Sequence, residues 1–101
     1  MLKSIEISYI NVGEAMRKII LNNNKNIIWK NLKSIRKEKH LTQADLAAKM
    51  QTFNLNIDQQ MISKIENNSR IVTDYELAYF CKILGVDVKE MLQKFEDISG
   101  K

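Results

Sequence analysis

The chain has 101 residues, enough for one small domain built around one core. Hydrophobic residues at 45% and charged residues at 28% describe a globular chain, and no apolar run approaches the roughly 20 residues of a membrane-spanning helix. A net charge of +4 suits a polyanionic partner without requiring one.

The opening stretch, "MLKSIEISYI", carries Glu6 within its apolar part and is followed by no small-residue cleavage site, so a secretory signal is not expected. Ile5, Ile7 and Tyr9 alternate with polar residues, as in a strand. Val12, Ala15, Met16, Ile19 and Ile20 then recur at helical spacing, with Asn11 as an N-cap and Glu14 three residues on. Residues 1–25 thus read as an N-terminal arm of one short strand and one helix. Packing on the domain, pairing with a second copy and remaining mobile are all open to it. The asparagine cluster "NNNKN", Asn22 to Asn26, is a loop signal and the best boundary.

Downstream, the absence of proline and the 3.6-residue periodicity predict an all-α fold of five helices over residues 26–95, followed by a short tail at 96–101. The first helix, from about Ile28 to Lys39, turns Leu32 and Ile35 inward. It carries the basic run "KNLKSIRKEK", ordinarily a solvated face when it stands alone. His40, the only histidine, follows it as a turn residue with no acidic or cysteine cluster beside it, so no metal or other cofactor is expected. Thr42 and Asp45 form a capping box for the second helix, whose stripe is Leu46, Ala47 and Met50. Asp58 caps a third helix running to about Asn67. Thr73 and Glu76 form a second capping box, for a helix lined by Leu77, Phe80, Cys81 and Leu84 and closed by Gly85. Cys81 is the only cysteine, which rules out an internal disulfide and fits a reducing, cytoplasmic setting. Asp87 caps the last helix, with Val88, Met91, Leu92 and Phe95 on its apolar side. Trp29 and Tyr75 are expected on inner faces, as packing residues.

The third helix, "DQQMISKIENNSR", is the informative one. Ile62 and Ile65 point one way; Gln59, Gln60, Ser63, Lys64 and Asn67 fall elsewhere around the turn. Two short helices joined by a turn, the second with an amide-rich outer face, suggest a helix-turn-helix. The major groove admits an α-helix and displays donors and acceptors at base edges. Glutamine donates and accepts together, which matches adenine; lysine reaches guanine or a phosphate; methionine suits a thymine methyl. No nucleophile–base pair, metal spacing or phosphate loop points to an enzyme.

At this point the pieces "IRKEKHLTQADLAAKM", "MISKIENNSR" and "ELAYFCKILGVDVKEML" together resemble the Cro/repressor-type helix-turn-helix family, often called the XRE family. The resemblance spans Lys30 to Phe95. It implies a five-helix, lambda-repressor-like helix-turn-helix domain and a transcriptional regulator, expected to be a repressor, that binds double-stranded DNA as a homodimer. By position, Gln59, Gln60, Met61 and Lys64 fall where the family reads bases. Thr42 and Gln43 fall where it holds a phosphate at a helix N-terminus, a place that also suits an anion physically. Ser63, Asn67, Asn68, Ser69 and Arg70 are expected along the DNA backbone. Arg36 and Glu66 match an internal salt bridge, and Ala47 a tight crossing between the two motif helices. The turn "QTFNLNI", Gln51 to Ile57, departs from the pattern: it is longer than usual and lacks glycine. Either Phe53, Leu55 and Ile57 cover the core edge or the preceding helix runs on by a turn. The rival expectation is a protein-interaction module or antitoxin-like partner on the same fold, and a regulatory protein partner is open to either reading.

Overall fold

The computed structural model describes residues 23–93. The strand expected at Ile5 to Tyr9, the helix expected across Val12 to Ile20, Phe95 and the tail lie outside them. The fold is all-α: α1 (Trp29–Glu38), α2 (Gln43–Gln51), α3 (Gln59–Glu66), α4 (Asp74–Leu84) and α5 (Val88–Met91). α3 packs against α1 and α2, while α4 covers α2 and α1 and carries α5 at its far end.

The helix starts are set locally. Thr42 Oγ1 accepts from Asp45 N–H and the Asp45 carboxylate accepts from Thr42 N–H, both at 2.9 Å. Thr73 and Glu76 repeat the arrangement at α4. Asp58 accepts from Met61 N–H at 2.8 Å and Asp87 from Glu90 N–H at 2.7 Å. Each bond satisfies an amide that the helix leaves without an internal partner, worth about 1 kcal/mol.

The stops share one device. His40, Asn54, Asn68 and Gly85 all have left-handed backbones, with φ between 61° and 72°. Just after each, an N–H returns five residues to a helix carbonyl: Leu41 to Arg36, Leu55 to Met50, Ser69 to Lys64 and Val86 to Cys81. This is the Schellman closure. Asparagine tolerates this conformation better than most residues, so Asn54 supplies the stop for which the long turn after α2 has no glycine. Of the two readings of that turn, both hold in part. The chain continues to coil through Asn54, and Ile57 is fully buried while Leu55 is half-buried. Phe53 is corrected: it is 39% exposed, its ring tilted on Tyr79 at 5.1 Å between centroids.

Each helix contributes one stripe to the core. Leu32, Leu46, Met50, Ile62, Ile65 and Phe80 are completely buried, and Cys81 and Leu84 lie beside them. Side chains of this size contribute about 1.5–3 kcal/mol each relative to exposure. Two expectations are corrected here. Tyr75 is 55% exposed, because the inward stripe of α4 runs through Glu76, Phe80 and Leu84 and leaves Tyr75 on its flank. Val88 is 42% exposed, because α5 is a single turn and only Met91 reaches the core. α5 is tied back to α1 through Asn31, whose Nδ2 donates to the carbonyls of Met91 and Gln93.

Candidate nucleic-acid interface

α3 is amphipathic across its short axis. Ile62, Ile65 and Glu66 face inward, and Gln59, Gln60 and Lys64 are exposed. Among the described residues these three side chains make no hydrogen bond or ion pair, so their polar groups are available to a partner. Ser63 is half-buried and Asn67 exposed. Met61 is half-buried and packs against the core, leaving only part of its side chain at the surface.

The pose of α3 is fixed from below by an ion pair. Arg36 on α1 donates from Nε to Glu66 Oε2 at 2.7 Å and from Nη2 to Oε1 at 3.0 Å. The guanidinium also donates from Nη1 to the Leu41 carbonyl at 2.7 Å. The hydrogen bonds it donates to Glu66 raise the Arg36 pKa further, against the opposing effect of burial. Gln43, at the start of α2, donates from Nε2 to the same Glu66 Oε1 at 3.0 Å. One carboxylate therefore connects α1, α2 and α3. Of the five positive charges in the basic run, Arg36 is internal, and Lys30, Lys33, Lys37 and Lys39 are exposed.

The fold of residues 32–91 matches at the level of sequence as well: the family model described as Helix-turn-helix (HTH_3) covers them, more than half the chain. The chain belongs to the XRE-type helix-turn-helix family. It is a DNA-binding transcription regulator of that type, from a family of regulators rather than of enzymes. No curated protein and no solved structure matches it significantly. No helix of the described residues is long and apolar enough to cross a membrane, and they contain no group of three or more side chains suited to hold a metal ion.

Within this XRE-type domain, the loop after α3 departs from the sequence expectation. Arg70 was expected on the DNA backbone, but its guanidinium is occupied inside the fold. Nη1 and Nη2 donate to the two Glu76 oxygens at 2.9 and 3.1 Å. Burial pushes the Glu76 carboxyl up, but the bonds from Arg70 and from Thr73 N–H outweigh it and hold it below its ordinary value near 4.5. Glu76 was legible only as half of a capping box. It serves both roles at once, with Oε1 accepting from Thr73 N–H at 3.1 Å. The Asn68 side chain is likewise engaged internally, accepting from Lys25 N–H at 2.9 Å and donating to Asn24 Oδ1 at 2.8 Å. Ser69 is exposed, and its hydroxyl donates to the Lys64 carbonyl at 3.0 Å. Thr42 is exposed and Gln43 half-buried at the α2 N-terminus.

Asn24 and Asn26 belong to the asparagine cluster expected as a loop boundary, and no local signal in the sequence marks them as structural. Both are buried. The indole N–H of Trp29 donates to Asn24 Oδ1 at 3.1 Å, which anchors this half-buried ring at the edge of the core rather than within it.

Proposed function

We propose that the protein is a sequence-specific repressor that binds duplex DNA as a homodimer, with α3 in the major groove. The observation that carries this reading is the exposed, unpaired trio Gln59, Gln60 and Lys64 on a helix whose opposite face is locked by Glu66. Gln59 and Gln60 read base edges, for which a glutamine amide offers both a donor and an acceptor. Lys64 reaches a guanine or a phosphate. Met61 contributes what remains of its half-exposed surface, an apolar contact. Thr42 and Gln43 hold a phosphate at the α2 N-terminus, where unpaired amides and the helix dipole favour an anion. Ser63, Asn67 and Ser69 line the next stretch of backbone, with Asn68 supporting them through its side-chain links to residues 24 and 25 and Arg70 through Glu76, rather than touching DNA themselves.

A helix of eight residues is about 12 Å long and meets only a few base pairs. Useful specificity then calls for two copies on a pseudo-palindrome with half-sites about 34–36 Å apart. A dimer seated on a promoter excludes polymerase sterically, which is why we read the action as repression.

The test begins with sites enriched by the protein from a random DNA pool, followed by anisotropy titrations. The Gln59→Ala/Gln60→Ala variant is expected to keep its fold and lose about tenfold or more in the specific-to-non-specific ratio, since a well-placed bidentate pair contributes about 1–3 kcal/mol of discrimination. Equal discrimination by parent and variant would refute the base-reading assignment. A parent that enriches no sites would leave the protein-interaction reading in its place.

A further inference from the structure

The loop that closes α3 is held by asparagines more than forty residues before it in sequence. Asn26 is 8% exposed. Both of its amide hydrogens are used: Nδ2 donates to the Ile65 carbonyl and to the Arg70 carbonyl, each at 3.0 Å. Its Oδ1 accepts from Ile28 N–H at 3.0 Å. One buried amide thus joins the two ends of the stretch from Ile65 to Arg70 and fastens both to the start of α1. Inside that stretch, Asn68 takes the left-handed conformation, and its side chain bonds Lys25 N–H and Asn24 Oδ1. The loop is therefore held at its base and at its apex by residues 24–26. Asn67 and Ser69, on either side of the apex, are left exposed.

We propose that Asn26, with Asn24 and Asn68, forms a latch that positions residues 67–69 for contact with DNA phosphates. Asn26 is the positioning residue: buried beneath the loop, it acts on DNA only through the backbone it holds. The latch also makes the loop conditional. The carbonyls of Ile65, in the last turn of α3, and of Arg70, in the loop, both accept from a segment that lies outside the helix-turn-helix itself, on the connection from the N-terminal arm. When residues 24–26 lift away, Arg70 O loses the Asn26 amide and Ile65 O keeps only the Asn68 N–H, and the loop loses the support that fixes its distance from α3. DNA affinity is thereby coupled to the seating of that connection. This inference rests on the DNA-binding reading above but does not depend on which bases α3 reads.

Two variants and two measurements test it. Asn26→Asp keeps the shape and the acceptor for Ile28 N–H but turns the donor toward two carbonyls into an acceptor. Asn68→Gly keeps the left-handed backbone and removes the side-chain links. The first measurement is the slope of log affinity against log salt on an enriched site. Each phosphate contact contributes about 0.9 to this slope. Both variants are expected to flatten it by about one to two, narrowing the parent's lead by roughly fourfold or more between 50 and 200 mM salt. Preference among base-pair variants of the site should stay near the parental level. A variant that was only less stable would present fewer active molecules with an unchanged slope. The second measurement is amide hydrogen exchange at Asn68 and Ser69 in the free protein, expected to accelerate at least tenfold in Asn26→Asp while the core amides of α4 are unaffected. If the parent binds DNA and the slope is unchanged in Asn26→Asp, the latch has no role in binding and the inference fails while the DNA-binding reading stands. If exchange at the loop is unchanged, the inference fails whatever the DNA result.

Discussion

Removal of the Glu66 carboxylate by Glu66→Ala is the most demanding test of how the domain is held together. The Arg36 and Glu66 side chains are 8% and 1% exposed, so the pair is out of water. The substitution leaves Nε and Nη2 of Arg36 without acceptors, and it strands Gln43 Nε2 as well. Only the bond from Nη1 to the Leu41 carbonyl survives. Breaking a buried pair from one side destabilises by about 3–5 kcal/mol, because a charge stays buried without its counterpart. For a domain of this size, 1 kcal/mol corresponds to about 4–8 °C in melting temperature, so the expected fall is at least about 12 °C. Urea titrations followed by far-UV circular dichroism, with thermal melts alongside, would measure it. The double substitution Arg36→Met/Glu66→Met replaces both charges with apolar side chains of similar length. It should recover most of the loss, since apolar replacement of a whole buried pair is often near neutral. A loss below about 1 kcal/mol for Glu66→Ala, the range of solvated surface pairs, would refute the reasoning. So would a double variant whose loss equals the sum of the two single ones.

Two further outcomes are expected. Glu76→Gln keeps an acceptor for the Thr73 cap but weakens the pairing with Arg70, and should destabilise by about 1–2 kcal/mol at neutral pH. The folded-state pKa of Glu76 lies below its ordinary value near 4.5, so its contribution is complete above that value and is lost as pH falls through the folded one. Parent and Glu76→Gln stabilities should therefore converge in acid below about pH 4.5, as read from urea midpoints across pH; a constant gap down to pH 2 contradicts the assignment. For Gly85→Ala, an added Cβ meets nothing within 4 Å, so only the left-handed backbone resists it. The expected loss is about 1 kcal/mol, with Gly85→Asn milder, by thermal melting.

What was legible in the sequence was what is decided within a few residues. Thr42 with Asp45, Thr73 with Glu76, Asp58 and Asp87 announce helix starts because a cap and the amide it serves lie three positions apart. Gly85 announces a stop for the same reason. Arg36 and Glu66 could be paired only through family resemblance, since thirty residues separate them. The links from Asn24 and Asn26 to the far side of α3 gave no such signal. A run of asparagines reads as a loop, and nothing local distinguishes a solvated amide from one that closes a helix forty residues away. The Arg70–Glu76 pair was hidden differently: Glu76 already had a complete explanation as a cap, and Arg70 one as a phosphate ligand. The exposed face of α3 was legible from Ile62 and Ile65 alone, whereas the half-burial of Met61 depends on how closely neighbouring helices approach, which periodicity does not encode.

The chain's lone thiol has a practical use. Cys81 sits 5% exposed in the wall of the core, and its burial raises the thiol pKa. Alkylating reagents attack the thiolate, so the folded protein should resist them and react chiefly during excursions that part α4 from the other helices. With one cysteine in the whole sequence, every labelled molecule reports one such event at one known place. The unaltered protein thus carries its own clock for the breathing of its interior, readable by mass spectrometry with or without DNA.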